Sequence, residues 1–139
     1  MTTALERIRH AALRDKIMTA AEAAEFVQDG MLVGMSGFTG AGYPKALPTA
    51  IAERAQAIHA EGKPFQISLV TGASTAPECD GVLAAAGSLK LRSPFQSDPA
   101  LRNDINAGKI AYTDVHLSQI EQQVRFGFFG AMDVAIVEV

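Results

Sequence analysis

A turn, a short apolar strand and a glycine-rich loop follow one another in residues 29–45, which read DGMLVGMSGFTGAGYPK. Glycine can adopt positive φ, and it lacks the Cβ that would hold a ligand away from the backbone. Gly37, Gly40 and Gly42 therefore suggest a main chain that another group approaches closely. A tight strand-to-helix crossover that needs unusual φ values would explain the same pattern. The residues leave both interpretations open.

The spacing of these glycines argues against two kinds of nucleotide site. No Gly-Lys-Ser/Thr sequence ends the loop, so it is not a phosphate-binding P-loop. The order Gly37-x-x-Gly40-x-Gly42 reverses the dinucleotide fingerprint. Where that fingerprint expects a ribose-binding acid at a strand tip, this chain has Glu61 at a helix end. A nicotinamide-binding function is therefore disfavoured.

Composition limits the class of protein. The 139 residues suit one domain, and 48% hydrophobic content with only 6% aromatics suits helices packed on a sheet. A net charge of −3 argues against nucleic acid as a partner. The single cysteine, Cys79, cannot form an internal disulfide, and its neighbours in sequence suggest polar surroundings. The N-terminus lacks an apolar signal core and no apolar run could span a membrane, so we expect a cytoplasmic protein with no membrane partner.

Predicted helices and strands alternate along the chain. Thr19-Ala20-Ala21-Glu22 has the form of a capping box and should open a helix that ends near Gln28. The predicted strands are residues 31–35, 65–70, 89–92, 109–113 and 134–139, and the predicted helices are 5–14, 19–28, 48–61, 80–86, 98–107 and a segment from about 116. This rhythm indicates βα units, and hence an α/β domain with a mostly parallel sheet flanked by helices.

Ligands of parallel sheets gather at the carboxyl ends of the strands. This rule brings four stretches to one edge: residues 36–45, 71–75, 93–95 and 114–116. All four are polar or rich in glycine, whereas the opposite edge carries ordinary turn residues. The candidate site is therefore expected at the first of these two edges.

The polar side chains at that edge each have a structural and a functional interpretation. Ser74 could cap the helix that follows it or contact a ligand. Lys45 lies near a helix start, against the preference of the helix dipole, and could equally be a solvated surface lysine. Asp114 and His116 could bond backbone amides at a helix start or take part in catalysis. Two side chains do not make a metal site, so no metal is expected.

The chain ends in an apolar segment, residues 131–139, which reads AMDVAIVEV. The pattern predicts a strand buried on both faces, whereas domains usually end in exposed, loosely packed segments. We therefore expect the chain to be the N-terminal part of a longer protein. The last strand would then be covered by the rest of that protein or by a second copy in a homo-oligomer.

Five segments, in this order, resemble the acetyl-CoA hydrolase/transferase branch of the class I coenzyme A transferases. They are SGFTGAGYPK at 36–45, QISLVTGAS at 66–74, RSPFQ at 92–96, RNDINAG at 102–108 and HLS at 116–118. That branch includes succinyl-CoA:acetate and propionyl-CoA:succinate CoA-transferases. The resemblance covers nearly the whole chain. It implies a two-domain enzyme whose N-terminal CoA-transferase domain is residues 1–139, in truncated form.

The resemblance also implies a reaction. Enzymes of this family use a glutamate carboxylate as nucleophile on an acyl-CoA and pass through an acyl-glutamyl anhydride to a glutamyl-CoA thioester. That glutamate belongs to the C-terminal half, so no catalytic residue is assigned in this chain, and the chain alone is expected to be inactive. The implied partners are an acyl-CoA (acetyl-, propionyl- or succinyl-CoA), small carboxylates and the missing C-terminal domain. Coenzyme A enters as a thioester substrate, and no tightly bound cofactor is expected.

The substrate and CoA site implied by the resemblance consists of seven residues: Gly37, Phe38, Thr39, Gly40, Ala41, Gly42 and Ser74. Their glycine content suggests that the backbone amides of Gly40, Ala41 and Gly42 serve anionic oxygens formed in the reaction. The alternative function is a non-catalytic α/β module that binds an acidic metabolite or a partner protein.

Overall fold

Five parallel strands form the centre of the fold. The computed structural model describes residues 4–73 and 76–138. The strands are β1 (Leu32–Met35), β2 (Ile67–Ala73), β3 (Leu89–Phe95), β4 (Ala111–Tyr112) and β5 (Val134–Ile136). Their order across the sheet is β4-β3-β2-β1-β5, and each described pair of neighbours is parallel. The predicted α/β class with a mostly parallel sheet is confirmed.

Six α-helices accompany the strands in the described part of the chain. They are α1 (Ala4–Arg7), α2 (Ala20–Ala24), α3 (Leu47–Ala60), α4 (Val82–Ala85), α5 (Pro99–Asn106) and α6 (Leu117–Arg125). A 3₁₀-helix at Ala11–Lys16 follows α1, and a π-helical turn at Pro77–Gly81 leads into α4. Pro48 lies in the first turn of α3, where its missing N–H costs no helical hydrogen bond.

The core lies between the sheet and helices α3, α4 and α5. These helices contribute Ile51, Leu83 and Leu101, each with no exposed surface. The strands contribute apolar side chains that are equally buried, among them Val33, Ile67, Leu69 and Leu89. Burying such side chains stabilises the fold by about 1.5–3 kcal/mol for each of them. The sheet and one layer of helices therefore hold the carboxyl edge in place.

Cys79 belongs to this core, which corrects the polar surroundings expected from the sequence. Its side chain has no exposed surface, and its sulfur lies 3.8 Å from the sulfur of Met35. Met35 is itself buried, as its apolar strand predicts. The charged neighbours Glu78 and Asp80 misled the prediction, because Glu78 is exposed but Asp80 is buried together with Cys79.

β2 and β3 extend beyond their predicted ends, to Ala73 and Phe95. The sequence suggested loops there because Thr71 and Ser93 are polar and Gly72 and Pro94 disfavour strands. Parallel pairing nevertheless continues to Ala73 and Phe95, with an irregularity in register after Val70. The polar groups are satisfied inside the sheet: the Ser93 hydroxyl donates to the carbonyl of Thr113 at 3.0 Å. The carboxyl edge therefore lies farther along the chain than predicted.

The N-terminal segment differs most from its prediction. A single helix over residues 5–14 is replaced by one turn of α1 and the separate 3₁₀-helix. Leu13, expected on an apolar face, is 54% exposed. Short helices are marginal in water unless tertiary packing supports them, and no such support reaches the 3₁₀-helix, which has no buried residue.

The capping box at the start of α2 is confirmed. The amide of Glu22 donates to the Thr19 hydroxyl at 3.2 Å, and the Thr19 amide donates to the Glu22 carboxylate at 2.7 Å. α2 ends at Ala24, earlier than the predicted Gln28. The box therefore determines where this helix begins but not how far it runs.

β5 is an edge strand in the described chain, shorter than the predicted 134–139. Ile136 is buried, Ala135 is exposed and Val137 beyond the strand is 63% exposed. The prediction of burial on both faces is therefore wrong for this chain taken alone. No helix in the described part of the chain is both long and apolar enough to cross a membrane.

Candidate functional site

The glycine loop, residues 36–45, folds into a tight turn after β1. Phe38 and Ala41 exchange two backbone hydrogen bonds, of 2.9 and 3.1 Å. Thr39 at the turn has φ of 53°, in the left-handed region that a β-branched residue rarely adopts. Phe38 is 61% exposed beside this turn. The loop thus presents its main chain and one aromatic ring to the outside.

The turn is fastened to the carboxyl end of β2. The Thr39 amide donates to the carbonyl of Ala73 at 2.6 Å. Gly72 lies directly beneath the loop, and a Cβ added there would overlap the carbonyl oxygen of Gly37. Gly37 has φ of 137°, and a Cβ there would lie 3.1 Å from the Cβ of Tyr43. Both glycines are therefore needed for close backbone packing within the protein.

The other two glycines of the loop have open surroundings. A Cβ built at Gly40 or Gly42 would meet no atom within 4 Å. Gly42 has φ of 67°, so it also serves the turn, whereas Gly40 has no positive φ. Gly37 and Gly42 therefore serve the crossover, and Gly40 leaves space next to the main chain.

The backbone amides of the loop differ in availability. The Ala41 amide donates to the carbonyl of Phe38, so it is already used within the turn. The amides of Gly40 and Gly42 donate no hydrogen bond to any residue that the structure describes. The amides of Gly40 and Gly42 therefore remain candidates for binding an anionic oxygen. The Ala41 amide is not a candidate in this conformation.

Ser36 joins the base of the glycine loop to β5, a role that sequence reasoning missed. Its hydroxyl donates to the carbonyl of Gly42 at 2.6 Å and accepts the amide of Glu138 at 2.9 Å. Its own amide donates to the carbonyl of Ile136 at 2.9 Å. Only long-range contacts reveal this role, because Glu138 lies far along the chain.

Lys45 is a surface residue whose side chain keeps 52% of its area exposed and also contacts the protein. Its ammonium group lies 3.8 Å from the centroid of the Tyr43 ring and donates to the Tyr43 carbonyl at 2.7 Å. It also lies 3.7 Å from the carboxylate of Glu138. Burial and the neighbouring Glu78 carboxylate raise the pKa of the Tyr43 phenol. These contacts stabilise the end of the loop that leads into α3.

A cavity of about 570 Å³ opens at the carboxyl edge, where β2 and β3 end and α6 begins. We call it the β3–α6 cavity. Its described lining consists of Ala73, Phe95, Asp114, Val115, His116, Leu117 and Ser118. It meets the glycine loop at Ala73, whose carbonyl accepts the Thr39 amide. Three of the four stretches predicted at this edge, 71–75, 93–95 and 114–116, therefore contribute to one cavity.

Asp114 and His116 do not bond the helix start as the structural interpretation proposed. His116 is the N-cap of α6, yet its side chain makes no capping hydrogen bond. Neither side chain makes a hydrogen bond with any residue that the structure describes. In the described chain, no three His, Cys, Asp or Glu side chains come together in a way that could hold a metal.

Ser74 lies outside the described residues, so its proposed contact with substrate stays a prediction. The nearest described residues on either side of it, Ala73 and Ala76, are buried. Ala73 ends β2, and Ala76 precedes the π-helical turn with 1% of its surface exposed.

A buried ion pair next to this segment was missed by the sequence reasoning. Asp80 in the π-helical turn accepts hydrogen bonds from Arg92 on β3, with Nε–Oδ1 at 2.9 Å and Nη2–Oδ2 at 3.4 Å. Neither side chain has exposed surface. Burial raises the pKa of the Asp80 carboxyl, and the Arg92 guanidinium acts against that rise. The pair fastens the turn that follows Ser74 to the centre of the sheet.

Solved structures with the same fold support the class of this domain. An acyl-CoA transferase apoenzyme from Escherichia coli O157:H7 superimposes with a TM-score of 0.65 at 21% identity, over 80% of this chain and 22% of that chain. A variant of the decarboxylase AibA/AibB gives 0.60 at 19% identity, over 81% of this chain and 43% of that chain. At these identities the likeness shows the fold alone, an α/β domain of the type found in acyl-CoA transferases.

The sequence matches the family of acetyl-CoA hydrolase/transferase N-terminal domains over residues 1–139, and the chain belongs to that family. It is 51% identical over 121 residues to a propanoyl-CoA:succinate CoA transferase of Escherichia coli, covering 87% of this chain and 25% of that protein. It is 40% identical over 133 residues to a succinyl-CoA:acetate CoA-transferase of Clostridium kluyveri, covering 96% of this chain and 24% of that protein. An acetyl-CoA hydrolase of Schizosaccharomyces pombe is 34% identical over 139 residues, and the match covers 95% of this chain and 26% of that protein. The chain thus spans about a quarter of the length of these curated relatives.

Proposed function

We propose that residues 1–139 form the N-terminal domain of a longer two-domain enzyme that moves CoA between an acyl-CoA and a carboxylate acceptor. Membership in the family and the names of the relatives support this function. The observation that carries the proposal is the position of the glycine loop. It lies over the carboxyl end of β2, bonded through Thr39 to Ala73, immediately before Ser74.

The proposed reaction uses a glutamate outside this chain as nucleophile. Its carboxylate attacks the thioester carbonyl and expels CoA thiolate, which leaves an acyl-glutamyl anhydride. The thiolate then attacks the glutamyl carbonyl, releases the acyl group as a carboxylate and forms glutamyl-CoA. The acceptor carboxylate reverses the two steps, so the thioester bond is conserved and no water is consumed. Acetyl-, propionyl- and succinyl-CoA are the proposed donors.

This domain would contribute electrostatic stabilisation. Each attack places negative charge on a carbonyl oxygen, and hydrogen-bond donors aimed at that oxygen lower the barrier. The amides of Gly40 and Gly42, which donate to no residue that the structure describes, are the donors that the glycine loop offers. Removing one such donor typically lowers kcat by about 10²–10³-fold. Ser74 would add a side-chain hydroxyl on the same side of the site.

The proposal is tested by comparing two proteins. The full-length protein that contains this chain should transfer CoA from propionyl-CoA to succinate, measured by chromatographic detection of succinyl-CoA. Residues 1–139 alone should form none, because the nucleophile is absent. If the full-length protein released free CoA but formed no succinyl-CoA, it would be a hydrolase. Enzyme-like turnover by residues 1–139 alone would contradict the proposal that the nucleophile lies outside them.

A further inference from the structure

We propose that Ser36 is a positioning residue for CoA transfer, whose hydroxyl holds the Gly42 amide in the direction in which it donates to the anionic oxygen of the transition state. This inference rests on the proposed function, in which the amides of Gly40 and Gly42 are hydrogen-bond donors. Ser36 is not among the seven residues of the predicted substrate and CoA site. Three observations carry its assignment: the bonds on both sides of Gly42, the full use of the Ser36 hydroxyl and its attachment to β5.

The peptide group before Gly42 is held by the turn of the glycine loop. Its carbonyl, that of Ala41, accepts the Phe38 amide at 2.9 Å. Because a trans peptide is planar, the N–H of the same group points to the side opposite the carbonyl. The Gly42 amide therefore points away from Phe38, and it donates to no residue that the structure describes.

The peptide group after Gly42 is held by Ser36. The Gly42 carbonyl accepts the Ser36 hydroxyl at 2.6 Å. Gly42 has φ of 67°, and a glycine has a wider choice of backbone conformations than any other residue. Without the bond to Ser36, Gly42 would be free to change its dihedral angles and carry its amide with it. The hydrogen bonds on the two sides together fix the direction of that amide.

The hydroxyl of Ser36 is fully used within the protein. Its single proton goes to the Gly42 carbonyl, and its oxygen accepts the Glu138 amide at 2.9 Å. The Ser36 amide donates to the carbonyl of Ile136 in β5, also at 2.9 Å. Ser36 therefore has no proton left to donate to a substrate oxygen in this conformation. It acts through the glycine loop, from a position fixed by the sheet.

The next carbonyl of the loop is also held. The Tyr43 carbonyl accepts the Lys45 ammonium group at 2.7 Å, so the carbonyls of residues 41, 42 and 43 each accept a hydrogen bond. Donors fixed in advance lower the barrier because they need no reorganisation during the reaction. Of the three bonds, the one to Gly42 is both next to a candidate donor and made by a side chain, so a substitution can remove it.

Ser36→Ala in the full-length protein tests the assignment, because it removes the hydroxyl and keeps the backbone bond to β5. For transfer of CoA from propionyl-CoA to succinate, kcat per folded molecule should fall about tenfold, the upper end of what one hydrogen bond contributes. The KM for propionyl-CoA should not change, because the lost interaction belongs to the transition state. Ser36→Thr keeps a hydroxyl and should restore most of the wild-type kcat. Circular dichroism measures the folded fraction of each variant.

Ser88→Ala is the matched control, because the Ser88 hydroxyl also donates to a backbone carbonyl, that of Leu83 at 2.8 Å, but lies next to the start of β3. It should keep the wild-type kcat per folded molecule. The assignment is overturned if kcat is unchanged in Ser36→Ala, if it falls equally in Ser88→Ala, or if KM alone rises. Should Ser36→Ala not fold, Ser36→Cys replaces the hydroxyl by a weak donor of similar size, and a wild-type kcat would overturn the assignment. Wild-type protein that transfers CoA from no acyl-CoA would instead refute the proposed function.

Discussion

Gly72 and Gly37 control the candidate site at the scale of single residues. Their backbones pack so closely that a Cβ at Gly72 would overlap the carbonyl oxygen of Gly37. This contact fixes the glycine loop over β2, in the position where Thr39 bonds to Ala73. The glycine content of the loop was visible in the sequence, but the need for Gly72 was not, because it arises from two segments that meet only in the fold.

Substituting Gly72 by alanine should therefore destabilise the protein and displace the loop. The clash involves backbone on both sides, so overpacking should lower the free energy of unfolding by about 1–3 kcal/mol. Gly40→Ala is the control, because a Cβ at Gly40 meets nothing within 4 Å. Denaturant unfolding of the full-length Gly72→Ala and Gly40→Ala variants measures the change in the free energy of unfolding for each. Equal stability of Gly72→Ala and wild type would disprove the close packing.

The Asp80–Arg92 pair is a second feature of single residues, and it should contribute strongly to stability. Asp80→Ala would leave the Arg92 guanidinium buried without its counter-ion, which typically costs about 3–5 kcal/mol. The exposed pair Lys63–Glu61, at 2.7 Å, gives the matched comparison: Glu61→Ala should cost less than about 1 kcal/mol. Urea unfolding monitored by circular dichroism provides both values. Similar losses in the two variants would contradict a structural role for the buried pair.

At the scale of elements, local signals predicted where helices start better than where strands end. The Thr19–Glu22 box and the Asp98 cap are both present, and Asp98 accepts the amides of Ala100 and Leu101 at 2.9 and 3.0 Å. Capping depends on side chains two or three residues away, so the sequence contains the whole motif. The ends of β2 and β3 depend on pairing with a neighbouring strand, which no local pattern contains.

The capping box of α2 should respond to pH in a defined direction. The hydrogen bond from the Thr19 amide, followed by that from the Thr19 side chain, lowers the pKa of Glu22 below its ordinary value of 4.5. Because the folded-state pKa is lowered, the stabilisation is fully present above pH 4.5 and is lost as pH falls through the folded-state pKa. An NMR titration of the Glu22 carboxyl carbon measures this pKa. Thr19→Ala removes the hydroxyl and keeps the backbone amide, so it should raise the pKa only part of the way towards 4.5, and an unchanged value would refute the contribution of the hydroxyl.

At the scale of the whole molecule, the fold class and the family could be predicted, but the composition of the site could only be predicted in part. Alternating elements determine a parallel sheet, and that topology brings residues 36–45, 93–95 and 114–116 to one edge. Which of these side chains share a cavity depends on the sheet order and on the start of α6. Arg92 was overlooked for a similar reason, since arginine is rarely buried without a partner that only the fold reveals. The cytoplasmic location and the role of Ser74 stay predictions.

The exposed apolar surface of the molecule agrees with a chain that spans about a quarter of its curated relatives. Phe126 and Phe128 have 68% and 72% of their surface exposed, with ring centroids 6.2 Å apart. Monomeric proteins rarely leave large apolar patches open. In the proposed enzyme, whose nucleophile lies outside residues 1–139, the rest of the larger protein would cover this surface.

We propose that this domain serves a glutamyl-CoA intermediate formed on another part of the same protein. The most direct test is the intact mass of the full-length protein after incubation with an acyl-CoA in the absence of an acceptor. We expect the mass to increase by one CoA less one water, and peptide mapping should locate the added group on a glutamate outside residues 1–139. Turnover without any covalent CoA adduct, or an adduct within residues 1–139, would contradict it.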